Sequence, residues 1–309
     1  MLARVERLVG QPAKHVQGGT FHATAHQLLR RFGEHAGIAT GFTILDQGDA
    51  VDLMQLARSS IGVAAKEKRF PRKETLHAVY SRHVNTDVPV LDLLRREWPQ
   101  FEDDAPAMLR VFADYVRRKT ERNLVDYDDL LLFWAAMLES EGGLGARIAG
   151  LYDHVLVDEY QDTNVVQARI LRGLCAAHRN LSVVGDDAQS IYAFRGATVR
   201  NILDFPAEWP GTTVVTLHRN YRSTQPILDS ANAVLAAARE GYRTQLRSER
   251  AGGERPWLVP LPDEPAQVRF VVDRLLELHE GEGLAFRRMA ILVRAGYQSG
   301  AIEIELAAR

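Results

Sequence analysis

The chain has 309 residues, 25% of them charged and 46% hydrophobic, with 40 acidic against 38 basic side chains and a net charge of −2. That mixture excludes wholesale disorder and collagen-like repeats, and the length suits two modest domains or one domain with an insertion. The longest strongly apolar run, Leu130 to Leu138, is too short to cross a bilayer, the N-terminus shows no secretory pattern, and the single Cys175 excludes an internal disulfide or a multi-cysteine zinc site, so a soluble protein of a reducing cytosol is expected.

The first forty residues read as helical, with Phe21, Ala25, Leu28, Leu29 and Phe32 at helical spacing and a break from Gly33 to Gly41. Residues 42–120 read as short amphipathic helices at 46–59, 71–83, 88–98 and 105–121, with no convincing strand and a basic stretch at Lys66, Lys68, Arg69, Arg72 and Lys73. Asp126 stands before a helix through Leu130, Leu131, Phe133, Trp134, Met137 and Leu138. The texture then changes. Val155–Val157, Leu181–Val184, Thr213–Leu217 and Met289–Val293 are short apolar runs, with a helical stretch at 165–177 between the first two. Such alternation predicts a parallel α/β sheet covered on both faces, with the helical block as an insertion.

Polar residues gather just past these runs, where ligands bind in open α/β sheets. After the first come Asp158 and Glu159, a carboxylate pair suited to dividing labour: one holds Mg²⁺ while the other orients and deprotonates a water. Asp162, Thr163 and Asn164 read as caps for the next helix. After the second run, Gln189 suits a γ-phosphate contact, and Tyr192, Phe194 and Arg195 interleave rings and charge as single-strand binders do; buried aromatics in a plain loop are the alternative. After the third, Arg222 offers a fork for phosphate and Tyr221 a ring for a purine, against the plainer reading of Ser223 and Thr224 as helix caps. Thr20, Phe21 and His22 form a weaker group that could touch a DNA backbone. Only five lysines occur, the last at Lys119, so none beyond it can be catalytic.

In this order, Thr20-Phe21-His22, DEYQDTN at 158–164, GDDAQSIYAFRGA at 185–197 and NYRS at 220–223 resemble the UvrD/Rep/PcrA group of superfamily 1 DNA helicases. A fifth stretch, Ala290 to Arg294 with Gln298 and Ser299, is similar to the later strand and helix of the second motor lobe. The resemblance implies ATP, Mg²⁺ and 3′-to-5′ movement on single-stranded DNA, with DNA junctions as further partners. It implies a first RecA-like lobe at 1–40 and 121–215, a helical insertion at 41–120 and a second RecA-like lobe at 216–309. Asp158 would be the magnesium ligand, sharing the site with Glu159 as general base. Gln189 and Arg222 would meet the γ-phosphate and Tyr221 would stack on adenine. Thr20, Phe21, His22, Tyr192, Phe194 and Arg195 would line the DNA track. The loops at 158–159, 185–195 and 220–222 would then share one cleft, in a protein of the bacterial cytoplasm and nucleoid.

Departures accompany the likeness. No G-x-x-x-x-G-K-[ST] occurs, and the family's last motifs, with their trans arginine, lie beyond the end of this sequence. Ala188 stands where relatives often carry an acid and Phe194 where tryptophan is frequent. Negligible ATP hydrolysis by these residues alone is expected, because a cationic phosphate clamp is worth orders of magnitude in rate. Other readings are a non-catalytic single-strand-binding remnant, the motor part of a recombination helicase-nuclease, and a metal-dependent nuclease built on Asp158, Glu159 and Asp186.

Overall fold

The computed structural model describes residues 2–10, 15–62, 70–242 and 244–309. Short polar side chains start its helices. After α1 (Leu2–Val9), the Thr20 hydroxyl accepts a hydrogen bond from Ala23 N and opens α2 (Phe21–Phe32), which buries Ala25, Leu28, Leu29 and Phe32 at the spacing read above. The helical block holds α3 (Gln47–Ser60), capped by Asp46, then α4 (Lys73–Thr86), α5 (Val90–Glu97) and α6 (Ala105–Glu121). These are the four helices expected there. The basic residues Lys66, Lys68 and Arg69 lie outside the described residues.

The block is not free of strands. β1 (Thr43–Ile44) pairs in parallel with β2 (Leu124–Val125), joining the two ends of the helical block. Two residues are too few to show any alternation, so the pair is invisible in the sequence. Asp126 and Asp129 then form a capping box at the start of α7 (Tyr127–Glu139), which packs on α2. After α8 (Leu144–Ala149), β3 (Val155–Val157), α9 (Val165–Cys175) and β4 (Leu181–Val183) make a parallel β-α-β unit, with Val155 opposite Leu181 and Val157 opposite Val183. The remaining helices are α10 (Arg200–Leu203), α11 (Phe205–Glu208), α12 (Gln225–Ala236), α13 (Glu264–Glu282) and α14 (Tyr297–Ala308). Among the described residues the result is mixed α/β, mostly helical, with two two-stranded parallel sheets.

The expectation of a sheet covered on both faces is corrected. Leu156 in β3 is 79% exposed, because this two-stranded sheet packs on one face, where Val157 joins Tyr160, Leu171, Ile202 and Phe205. The runs at 213–217 and 289–293 are not strands either. Apolar composition cannot make a strand without a neighbour to complete its ladder, and Val215, Leu217 and Leu292 remain exposed.

The chain divides into two units, Met1–Thr216 with Ala237–Arg243, and Leu217–Ala236 with Thr244–Arg309. In the first, one core joins α2, α7, α8 and α9 around Leu29, Trp134 and Ile170, and another joins α3 to α6 around Met54, Leu94 and Met108. In the second, Val268, Val272 and Ile302 pack α13 on α14.

Between α6 and α7 lies a buried ion cluster. Lys119 Nζ is 2.6 Å from both Asp126 Oδ2 and Asp129 Oδ2, and Tyr115 donates its hydroxyl to Asp126 at 2.7 Å. Burial and the neighbouring Asp126 push the Asp129 carboxyl up to about 6 against the opposing pull of Lys119. Burial opposes ionisation of Asp126 as well, but Lys119 outweighs it and holds that carboxyl below its ordinary value. Replacing Lys119 by Met strands two buried carboxylates and is expected to cost about 3–5 kcal/mol in urea unfolding. Asp129 contributes stability that is full below 3.8 and is lost as pH rises through about 6. Asp129→Asn should therefore flatten stability across that window, and an unchanged slope would contradict the assignment.

Candidate functional site

The site begins where β3 ends. Asp158 Oδ1 accepts from Glu159 N at 3.0 Å, and Glu159 has φ +51°. That left-handed backbone costs a non-glycine residue about 1–2 kcal/mol and must be held by its surroundings. Two bonds hold it. Tyr160 N donates to Val184 O at 2.9 Å, and Gln161 Nε2 donates to Glu159 Oε2 at 2.8 Å.

Gln161 is the residue that sequence reasoning missed. It is 1% exposed, and its Oε1 accepts from Asp186 N at 3.0 Å, so one buried amide ties the loop after β3 to the loop after β4. Gly185 makes room for it, since a Cβ there would lie 2.6 Å from Gln161 Oε1 and 2.8 Å from Ile202 Cδ1. A glutamine inside a polar run carries no periodicity, and only the adjacency of two strand ends gives it a role.

In the second loop, Asp186 accepts from Ala188 N through Oδ1 and from Gln189 Nε2 through Oδ2, at 3.1 and 2.7 Å. Both of its oxygens are engaged, which weighs against Asp186 as a nuclease metal ligand. By contrast Asp158 Oδ2 and Glu159 Oε1 have no hydrogen-bond partner among the described residues. Asp162 lies beside them with a buried, unpartnered Oδ1, and burial followed by the nearby Glu159 raises its carboxyl above the ordinary value. Asn164 is a cap, as expected, in a reciprocal box with Gln167 at the start of α9. Among the described residues no cluster of three His, Cys, Asp or Glu side chains could hold a metal by itself. A Mg²⁺ site completed by water and substrate phosphates needs only one or two carboxylates.

Further along, the chain makes an exposed turn. The Arg195 guanidinium lies 5.2 Å from the Tyr192 ring centroid and 5.5 Å from that of Phe194, with the two rings 5.9 Å apart. Phe194 is 73% exposed, so the alternative of buried aromatics does not hold. The turn ends at Gly196, φ +87°, where a Cβ would come within 3.1 Å of Asn85 Cβ. Asn85 is buried. It donates to Asp128 and accepts from Asn164 Nδ2, each at 2.7 Å, while Thr198 N donates to Thr163 O at 3.1 Å.

The Thr20 group faces inward more than its motif suggested. Thr20 caps α2, Phe21 is half-buried at 6.2 Å from the Trp134 ring, and His22 meets Tyr127 edge-on at 5.9 Å. Burial lowers the His22 pKa against the pull of Asp128, which favours the neutral imidazole. In the second unit, Asn220 Oδ1 accepts from Arg222 N at 2.9 Å and Ser223 N at 2.8 Å, and Arg250 donates to Arg222 O. These bonds fix the backbone while Arg222 and Tyr221 stay exposed, Tyr221 under Arg219 at 5.0 Å. The Thr224 hydroxyl is buried without a partner, so it is not the expected cap. A cavity of about 200 Å³ lined by Arg172, Cys175, Ala176, Arg179, Glu208 and Trp209 contains none of these residues, and burial pushes the Cys175 thiol there up to about 11.

A family model described as the UvrD/REP helicase N-terminal domain matches residues 1–210, and one described as the UvrD-like helicase C-terminal domain matches residues 215–309. ATP-dependent DNA helicase UvrD1 of Mycobacterium tuberculosis is 34% identical over 311 residues, covering 98% of this chain and 40% of that protein. ATP-dependent DNA helicase PcrA of Leuconostoc citreum is 33% identical over 310 residues, covering 99% and 40%. PcrA of Staphylococcus epidermidis is 31% identical over 303 residues, covering 98% and 41%. The chain thus spans about 40% of the length of the curated relatives it matches.

Gly185→Ala is expected to cost about 1–3 kcal/mol by overpacking against Gln161 and Ile202. Thermal unfolding of the two proteins checks it, and an alanine variant as stable as the parent would contradict the close approach.

Proposed function

Since the chain belongs to the UvrD-like helicase family, we propose that it supplies nucleotide- and strand-contacting parts of an ATP-dependent DNA helicase that moves 3′ to 5′ on single-stranded DNA and works at DNA junctions. In this reading residues 1–40 and 121–215 form a first RecA-like lobe, 41–120 its helical insertion, and 216–309 belong to a second RecA-like lobe. The observation that carries the reading is the Gln161 amide, which joins the strand-end loops bearing Glu159 and Gln189.

The division of labour follows from which atoms are free. Asp158 offers one hard oxygen to Mg²⁺, directly or through water, and Glu159 offers another to the ion or to a water. When bound, Mg²⁺ spreads the charge that develops on the transferred phosphate. Glu159 takes the proton of the attacking water, its other oxygen being held by Gln161. Gln189 contacts the γ-phosphate and Arg222 pairs with its oxygens, while Tyr221 stacks on adenine. On the strand side, Tyr192, Phe194 and Arg195 stack on bases and attract the backbone. Thr20 and a neutral His22 contribute hydrogen bonds to the strand rather than charge, with Phe21 supporting them from below. The place of action is the bacterial cytoplasm and nucleoid; among the described residues no helix is long and apolar enough to cross a membrane.

The sequence contains no phosphate-loop lysine motif, so a second reading describes these 309 residues by themselves: a single-strand binder without turnover. A purified sample is expected to release no phosphate from ATP above background with or without DNA, and steady DNA-stimulated turnover would contradict this. Oligothymidylate binding should weaken by about 1–3 kcal/mol in Phe194→Ala, the loss of one stacking ring. Unchanged affinity, measured by fluorescence anisotropy, would remove the strand-binding role from this turn.

A further inference from the structure

Residues 192–195 are exposed, and rings that are to stack on bases need a fixed backbone beneath them. The holder is a side chain of the helical block. Arg82, on α4, donates from one terminal nitrogen to the carbonyl of Ala193, the residue between Tyr192 and Phe194. Its Nε and other terminal nitrogen each lie 3.1 Å from Glu97 Oε1, at the end of α5. One turn further along α4, Asn85 packs under Gly196 at the other end of the same turn.

We infer that Arg82 is a positioning residue for single-strand binding: oriented by Glu97, it fixes the Ala193 carbonyl and so sets the Tyr192–Phe194–Arg195 turn in its strand-accepting shape. This inference rests on the reading of residues 192–195 as the strand-binding turn. Three features separate Arg82 from an ordinary phosphate ligand. Its guanidinium N–H groups are committed to Glu97 and Ala193, its side chain is 21% exposed, and it is neither of the two tilted rings nor the arginine over them. A planar fork spreads five donors over three nitrogens and holds both partners in one fixed plane, whereas an ammonium gathers its three donors on a single nitrogen at the end of a flexible stem.

The consequence is a pattern in binding rather than a single loss. A residue that touches phosphate lowers the salt dependence of binding when removed, by about 0.7 in the slope of log K against log salt for a single strand. A residue that only shapes the turn leaves that slope as it was. Its effect must also vanish once the turn has lost its principal ring, because there is nothing left to position.

The test uses the 309-residue chain, a fluorescent oligothymidylate of about 16 nucleotides and a series of salt concentrations. The proteins compared are the parent, Arg82→Met, Arg82→Lys, Phe194→Ala and the Arg82→Met/Phe194→Ala double variant, with a thermal melt of each. Arg82→Met is expected to bind about five- to tenfold more weakly with an unchanged salt slope, and to add less than about twofold to the loss in Phe194→Ala. Arg82→Lys, which keeps the charge, is expected to rescue less than half of the loss on a logarithmic scale. Equal binding by Arg82→Met and the parent, a reduced salt slope, full rescue by lysine, or an additive double variant each overturns the inference. If Arg82→Met melts early, the lysine variant alone decides, since it retains the stem and the charge. If Phe194→Ala binds like the parent, the strand-binding reading itself falls; if Phe194→Ala weakens binding and the Arg82 variants do not, only the positioning role falls.

Discussion

Two adjacent parallel strands end in loops full of polar groups, and such loops have no reason to keep a common shape unless something spans them. In this chain a single buried amide does so. Gln161 donates to the side chain of Glu159 and accepts from the backbone of Asp186, and neither bond can be exchanged for water at a site 1% exposed. A buried donor or acceptor left without its partner costs more than the bond is worth in isolation. The amide therefore locks both loops together, and it explains two local oddities: a glutamate in left-handed backbone and a glycine with no room for a Cβ. The buried Asn85–Asn164 bond continues the connection to the helical block and to the end of the aromatic turn.

Much of this was legible in the sequence, and the reasons for success and failure are physical. The spacing of Ala25, Leu28, Leu29 and Phe32 reports α2 because a helix repeats its buried face every three to four residues. Asp126 and Asn164 report helix starts because their side chains satisfy amides that nothing else reaches. Thr213–Leu217 and Met289–Val293 look like strands for composition alone, but a strand also needs a neighbour with free backbone groups. The parallel pair of Thr43–Ile44 with Leu124–Val125 fails the opposite way, being real yet too short to leave a pattern.

The candidate site divides along the same line. Asp158, Glu159, Gln189, Tyr192, Phe194 and Arg195 stand out in the sequence by residue type, as a carboxylate pair and as interleaved rings and charge. The supporting residues do not. Gln161 and Arg82 are ordinary polar residues whose roles exist only once β3 lies beside β4 and α4 lies under the turn. Groups proposed to meet a ligand are thus picked out by their chemistry and can be read from letters. Groups that hold them are chosen by place and can be read only from a fold.

In the proposed function a nucleotide loop and a strand-binding turn belong to the same unit of the chain, and DNA touches that turn. Photocrosslinking of an oligonucleotide carrying 5-iodouracil, followed by mass-spectrometric mapping of the attached residue, tests it directly. The account places crosslinks at Tyr192 or Phe194. Efficient crosslinks confined to surfaces remote from residues 189–196 would contradict it.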